Sequence, residues 1–207
     1  LLATEIVSII LQVAVFTAIP FVVFVVRRKT TRGFTRSIGL YAPTGRGLVT
    51  AVFASTLFIA GGVGVIFLSD GIREIMINEP SVTGKLRTLG PGMETLVLLL
   101  MIAWVKTSLA EEILFRGFVA KSLIQKFGFM AGNITQAILF GLVHLLLFLV
   151  LSAAGFLFLL FIFLLSTSAG FMVEYINDRI GNGSIVPGWI AHALGNTVSY
   201  SLVVYLI

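Results

Sequence analysis

The residues able to do chemistry are few, and they fall into three short groups. These are Glu111-Glu112-Ile113-Leu114-Phe115-Arg116, Phe140-Gly141-Leu142-Val143-His144 and His192-Ala193-Leu194-Gly195-Asn196. Both histidines of the chain lie inside them, and there is no cysteine. A thiol nucleophile, a thiolate zinc site and a disulfide framework are thereby excluded. On an α-helix, Glu112 and Arg116 are four apart with the acid nearer the N-terminus, the better orientation for an ion pair. Glu111 is turned about 100° from Glu112 and has no base three or four residues on. Glu112–Arg116 is therefore expected to support the site and Glu111 to be free for chemistry. His192 and Asn196, again four apart, share a face. A carboxylate taken out of water becomes a better base. A nearby histidine can hold the water and relay a proton, and a His–Asn face can donate to a developing oxyanion. Together these describe amide hydrolysis without a covalent intermediate. Each group also has a plainer reading: a structural ion pair, a packed histidine, an interhelical asparagine bond, and a Phe140 that only packs beside His144. The inference rests on the three occurring together. Glu111, His144 and His192 also make a two-histidine, one-carboxylate set suited to zinc or iron. A metal-free site is preferred, because it leaves the carboxylate free as a base.

The elements that must position these residues are membrane helices. Of 207 residues, 58% are hydrophobic and 11% charged, against about 45–50% and 25% in soluble domains. Mean hydropathy is +1.09. So few charges cannot cover a soluble surface, and so little polarity excludes disorder. The fold class is all-α, a polytopic transmembrane bundle forming a single membrane domain over 1–207. At about 20 apolar residues per crossing, the sequence predicts six spans: 6–26, 47–69, 95–115, 131–151, 155–173 and 184–207. The reversal between the fourth and fifth falls near 152–155, and a turn at 177–183 precedes the last. The first run is longer than a signal-peptide core, and its basic cluster follows it. Gly61, Gly62 and Gly64 suit close helix packing, as do the pairs Ala137–Gly141 and Ala191–Gly195, which would bring His144 and His192 together. Eleven of the fourteen Lys and Arg residues, Lys106 among them, fall in the loops and span ends after spans one, three and five. Those ends are expected in the cytoplasm, with both termini outside and a polar cavity opening toward the cytoplasm. The acid-free basic run at 27–46 reads as an orientation signal and a contact for lipid headgroups, not as a nucleic-acid site.

The ordered motifs EExxxR, FxxxH and HxxxN, covering 111–196, resemble those of the CPBP family, also called the ABI or type II CAAX prenyl endopeptidase family. The resemblance implies that Glu111 is the general base acting on water and that His144 assists it. It implies that His192 and Asn196 stabilise the oxyanion, with Glu112 and Arg116 supporting the site and Phe140 shaping the pocket. The implied activity is an intramembrane endopeptidase cleaving a peptide or a prenylated protein among membrane lipids, in a prokaryotic plasma membrane. Other intramembrane proteases fit less well. There is no HExxH and no glycine-flanked nucleophilic serine, and the only aspartates, Asp70 and Asp178, are expected in loops. Two other classes use the same cavity: a non-catalytic membrane peptide binder, such as a bacteriocin self-immunity protein, and a proton-coupled carrier.

Overall fold

The computed structural model describes residues 2–68, 70–77, 81–151 and 155–206, and among them the regular elements are all helices. The long ones are α1 (Leu2–Arg28), α2 (Gly45–Leu68), α3 (Met93–Phe127), α4 (Phe129–Leu151), α5 (Phe156–Ile180) and α6 (Val186–Tyr205). Three short helices, Phe34–Ser37, Asp70–Ile77 and Val82–Thr88, sit in the connections. Helices α1 to α5 each carry a stretch long and apolar enough to cross a membrane. The protein is an integral membrane protein built as a polytopic helical bundle.

Helix α6, expected as a sixth apolar span, differs from the other five. Its 20 residues reach about 30 Å at 1.5 Å each, so its length is sufficient. Its composition is not, because His192, Asn196, Thr197, Ser199 and Ser201 interrupt the apolar residues. The packing explains how this is tolerated. Within α6 only Val198 and Tyr205 are exposed, and the helix packs against α2 and α3. A helix shielded by others need not match lipid.

Other boundaries also shift. Helix α3 continues to Phe127, well past the expected end at 115. Helix α5 continues to Ile180, so the chain turns at 181–184 instead of from 177. Of the expected reversal at 152–155, positions 152–154 lie outside the described residues. The hairpin α4–α5 is tightly packed. A Cβ at Gly141 would collide with Thr167 Oγ1 and stand 2.9 Å from the Phe163 carbonyl oxygen. The small-residue pair on α4 thus brings α4 onto α5, not onto α6. Gly61, Gly62, Gly64 and Gly195 meet nothing within 4 Å among the described residues where a Cβ would stand, so no described helix makes the expected close approach to them.

Helix α3 departs from α geometry in two places. Ile102–Leu109 and Glu112–Ala120 are π-helical, with i→i+5 hydrogen bonds that widen the turn. Glu111 stands at the junction of the two stretches. One further expectation fails here. Lys106 does not belong with the basic residues at the Phe127 end of α3. Its Nζ donates to Glu5 Oε2 at 2.9 Å near the start of α1, and its carbonyl accepts from Gln12 Nε2 at 2.9 Å. Arg36, Lys121 and Arg179 do lie at the Phe127 end, the first two over the ring of Tyr41 and the third over that of Phe129.

At that end the α1–α2 connection straps the turn leading into α6. Ile185 N–H donates to Gly39 O at 2.9 Å, Tyr41 Oη to Asn182 O at 2.8 Å and Thr44 Oγ1 to Ile180 O at 2.7 Å. Lys121 Nζ of α3 donates to Gly183 O at 2.9 Å. These bonds fix where α6 begins, and therefore where His192 and Asn196 fall along it.

Candidate active site

Helix α6 runs antiparallel to α3. Tyr205 Oη reaches Gly92 O, Asn196 reaches Thr107 and Ser108, and His192 reaches Glu111 and Glu112. The near approach at the last rung depends on Gly188. A Cβ there would stand 2.8 Å from Glu112 Oε2 and 2.6 Å from Asn177 Nδ2. Its own N–H donates to Asn177 Oδ1 at 2.8 Å, which joins α6 to the π turn ending α5. Trp189 adds a further tie, its indole N–H donating to Trp104 O at 2.7 Å. On α6 the residues 189, 192 and 196 are spaced as i, i+3 and i+7, one face of a helix. His192 therefore sits between two hydrogen-bonded anchors and is held against α3.

There the imidazole lies between two carboxylates. Its Nδ1 is 3.4 Å from Glu112 Oε1 and its Nε2 is 4.0 Å from Glu111 Oε2. Glu112 Oε1 is also 3.5 Å from Arg116 Nη1, so the expected ion pair is present despite the π turns. The two acids differ in access. The Glu112 side chain is fully buried, whereas Glu111 and His192 keep 17% and 19% of theirs exposed. Glu111 Oε2 is itself buried and has no hydrogen-bond partner among the described residues. The reachable acid is therefore Glu111.

Phe140 joins the two histidines. Its ring is 4.4 Å from that of His144 and 6.3 Å from that of His192. It also stacks edge-on with Phe115 at 5.0 Å and carries the Arg116 guanidinium over its face at 4.0 Å. A desolvated cation over an aromatic face is attracted by the ring's negative face, so Phe140 helps hold Arg116 in place. His144 Nδ1 lies 2.9 Å from the Phe140 carbonyl oxygen. A carbonyl only accepts, so the neutral ring has its proton on Nδ1 and a lone pair on Nε2.

Asn196 is more committed than its motif implied. Its Nδ2 donates to Thr107 Oγ1 at 2.9 Å and Ser108 Oγ at 3.2 Å. The Thr107 hydroxyl itself reaches the carbonyl oxygens of Ile102 and Ala103, so it must accept from Asn196. Both amide hydrogens are engaged, and the amide becomes an oxyanion donor only by leaving one of these bonds. As for a metal, no three His, Asp or Glu side chains among the described residues are disposed to hold one.

One buried acid escaped the sequence reading. Glu174 on α5 is 2% exposed and lies within electrostatic reach of Arg116 and Glu112. Its signal was its position: the apolar run was taken to stop at Val173, one residue short of it. Thr107, Ser108, Asn177 and Gly188 were also missed, because their importance comes from pairing across helices.

The model of the Rce1-like type II CAAX prenyl endopeptidases matches residues 93–198, from the start of α3 to the middle of α6. That is just over half of the chain. The chain belongs to this family. The matched region contains every residue of the site just described. Family membership supports a CAAX-type intramembrane protease activity. No curated protein and no solved structure matches the chain.

Proposed function

We propose that the protein is an intramembrane endopeptidase in which Glu111 takes a proton from water while that water attacks a peptide carbonyl. The observation that carries this reading is the contrast between the two acids: Glu112 is closed in, and Glu111 has a free oxygen facing His192 Nε2 at 4.0 Å. Water reaches Glu111 at the part of its side chain that stays exposed, 17%, since Oε2 itself is buried. His144, with its Nε2 lone pair, assists in holding the water. The substrate is a membrane-anchored peptide or a prenylated protein. The basic residues at the Phe127 end support a cytoplasmic orientation of that end, with the site reached from that side, in a prokaryotic plasma membrane.

The test is purified protein with prenylated and unprenylated peptides, products read by mass, comparing wild type with Glu111→Gln. Removing a general base costs about 10²- to 10⁴-fold. A chelator present throughout is expected to leave the wild-type rate unchanged. Wild-type rates in Glu111→Gln would return the cavity to a peptide binder.

A further inference from the structure

The connection between α1 and α2 has a cationic outer face that the proposed chemistry does not use. Arg27, Arg28, Lys29, Arg32, Arg36 and Arg46 are all exposed, and no acid lies between 27 and 46. None of the six forms an ion pair among the described residues. On its inner side Ile38 is 4% exposed and packs with Ile113 of α3, the neighbour of Glu112, and with Ile185 at the start of α6. We infer that the cationic face is a binding site for anionic phospholipid headgroups, and that headgroups bound there hold α6 in place against α3.

The location favours lipid over other anions. Arg27 and Arg28 end the apolar helix α1, at the level where hydrocarbon gives way to headgroups. Phe34 folds back onto that helix, its ring 5.1 Å from Phe21 and 5.7 Å from Phe24. The segment is thus apolar toward the bundle and cationic away from it, the pattern of a chain lying in the membrane interface. A guanidinium offers paired N–H donors that match a phosphate. Each basic residue at the surface of an anionic leaflet strengthens the attraction about fivefold.

The same connection fixes where α6 begins. Gly39 O accepts from Ile185 N–H at 2.9 Å, and Tyr41 O accepts from Ser184 Oγ at 2.6 Å. Tyr41 Oη and Thr44 Oγ1 donate to Asn182 O at 2.8 Å and Ile180 O at 2.7 Å. There is no slack on either side. A Cβ at Gly39 would stand 2.6 Å from Gly183 O, and one at Gly117 of α3 would stand 2.8 Å from Ile38 O. Unanswered, the six like charges repel one another and strain this strap. Headgroups that bind the packed connection better than a loosened one shift it toward the packed form, and α6, which carries His192, goes with it.

Trp104 and Trp189, the only tryptophans of the chain, report on the α3–α6 contact. The Trp189 indole donates to Trp104 O at 2.7 Å, and the rings meet edge-on at 6.1 Å. The test reads their emission from purified protein in phosphatidylcholine vesicles with and without phosphatidylglycerol. Phosphatidylglycerol is expected to shift the emission, and inorganic phosphate added to phosphatidylcholine vesicles is not. Raising salt from about 0.1 M to 1 M shortens the screening length from about 10 Å to about 3 Å and is expected to remove the shift. Combining Arg27→Gln, Arg28→Gln and Arg32→Gln is expected to remove it at low salt. Tyr41→Phe with Thr44→Val keeps all six cations, so it is expected to retain phosphatidylglycerol, read by mass after detergent extraction, and to lose the shift. Equal emission in the two vesicles, a shift insensitive to salt, or one kept by the triple variant overturns the site. The salt arm uses the wild type, so it decides even where the triple variant inserts wrongly. A full shift with inorganic phosphate overturns the lipid assignment, and a shift kept by Tyr41→Phe with Thr44→Val overturns the coupling to α6. The emission is read without substrate, so these outcomes stand whether or not Glu111 is the base.

Discussion

Two charged clusters lie inside the helical bundle, and they are built differently. Near the Met93 end, Glu5 and Lys106 form a hydrogen-bonded pair at 2.9 Å, 13% and 14% exposed, with Lys85 at 3.8 Å from the other carboxylate oxygen. At the centre, Glu111, Glu112, Glu174 and His192 gather around Arg116, with Lys121 within electrostatic reach of Glu174. Both oxygens of Glu112, Oε2 of Glu111, and Nε and Nη1 of Arg116 are buried without a hydrogen-bond partner among the described residues. The first cluster is closed, with each charge answered by another. The second holds surplus acid and unused hydrogen-bonding capacity, which is costly where water is scarce. A cluster that only held helices together would be built like the first. The difference supports the proposal of chemistry at the centre and attachment at the Met93 end.

The largest effect is expected from removing the central cation. Arg116→Met leaves Glu112 and Glu174 buried against each other. Breaking a buried pair from one side costs about 3–5 kcal/mol, read as a fall in the unfolding temperature of the protein in detergent. Adding Glu174→Gln to that variant is expected to recover part of the loss, since it removes one of the acids. Wild-type stability in Arg116→Met would erase the contrast between the clusters. A smaller effect is expected at Gly188. Gly188→Ala places a Cβ 2.6 Å from Asn177 Nδ2 and 2.8 Å from Glu112 Oε2, and overpacking of this kind costs about 1–3 kcal/mol. Peptide cleavage should fall further than stability does, because α6 carries His192 as it moves. Gly195→Ala is the matched control, with nothing within 4 Å and no expected loss. If the two substitutions behave alike, the close approach of α6 to Glu112 is not what places the imidazole.

How much of this could be read beforehand follows from what membranes demand of a sequence. The runs that became α1, α2, α4 and α5 were legible because lipid requires about 20 apolar residues in a row. The grouping of Glu111, Glu112, Arg116, Phe140, His144 and His192 was legible as three motifs, because charged and imidazole groups are rare in such runs. The π turns of α3 were not, since i→i+5 bonding leaves no composition of its own. Nor was the choice among glycines. Gly188 and Gly195 look equivalent as letters, and only the neighbouring helix shows that one is crowded and the other open. Lys106 was assigned to the wrong end for a similar reason. Its partner, Glu5, is about a hundred residues away in sequence, and nothing local points to it.

The smallest effect is expected from a double replacement at the closed cluster, and it is the sharpest test of the comparison. Lys106→Met alone leaves the Glu5 carboxylate, 13% exposed, with only the half-exposed Lys85 at 3.8 Å and should lose about 1.5–3 kcal/mol, the value of a hydrogen bond to a charged group. Adding Glu5→Gln removes the charge that has lost its hydrogen-bond partner. Replacing both members of a buried pair with uncharged groups is often neutral, so the double variant should unfold near the wild-type temperature. It should also cleave peptide at the wild-type rate, because Glu5 and Lys106 meet none of the residues around His192. The same double replacement at the centre, Glu112→Gln with Arg116→Met, also removes a charge pair of equal and opposite sign, yet it takes away the carboxylate that faces His192 Nδ1. That variant should lose peptide cleavage however well it folds. Loss of cleavage in the Glu5–Lys106 variant instead would mean that α1 takes part in the reaction, and that the closed pair is closed only between turnovers.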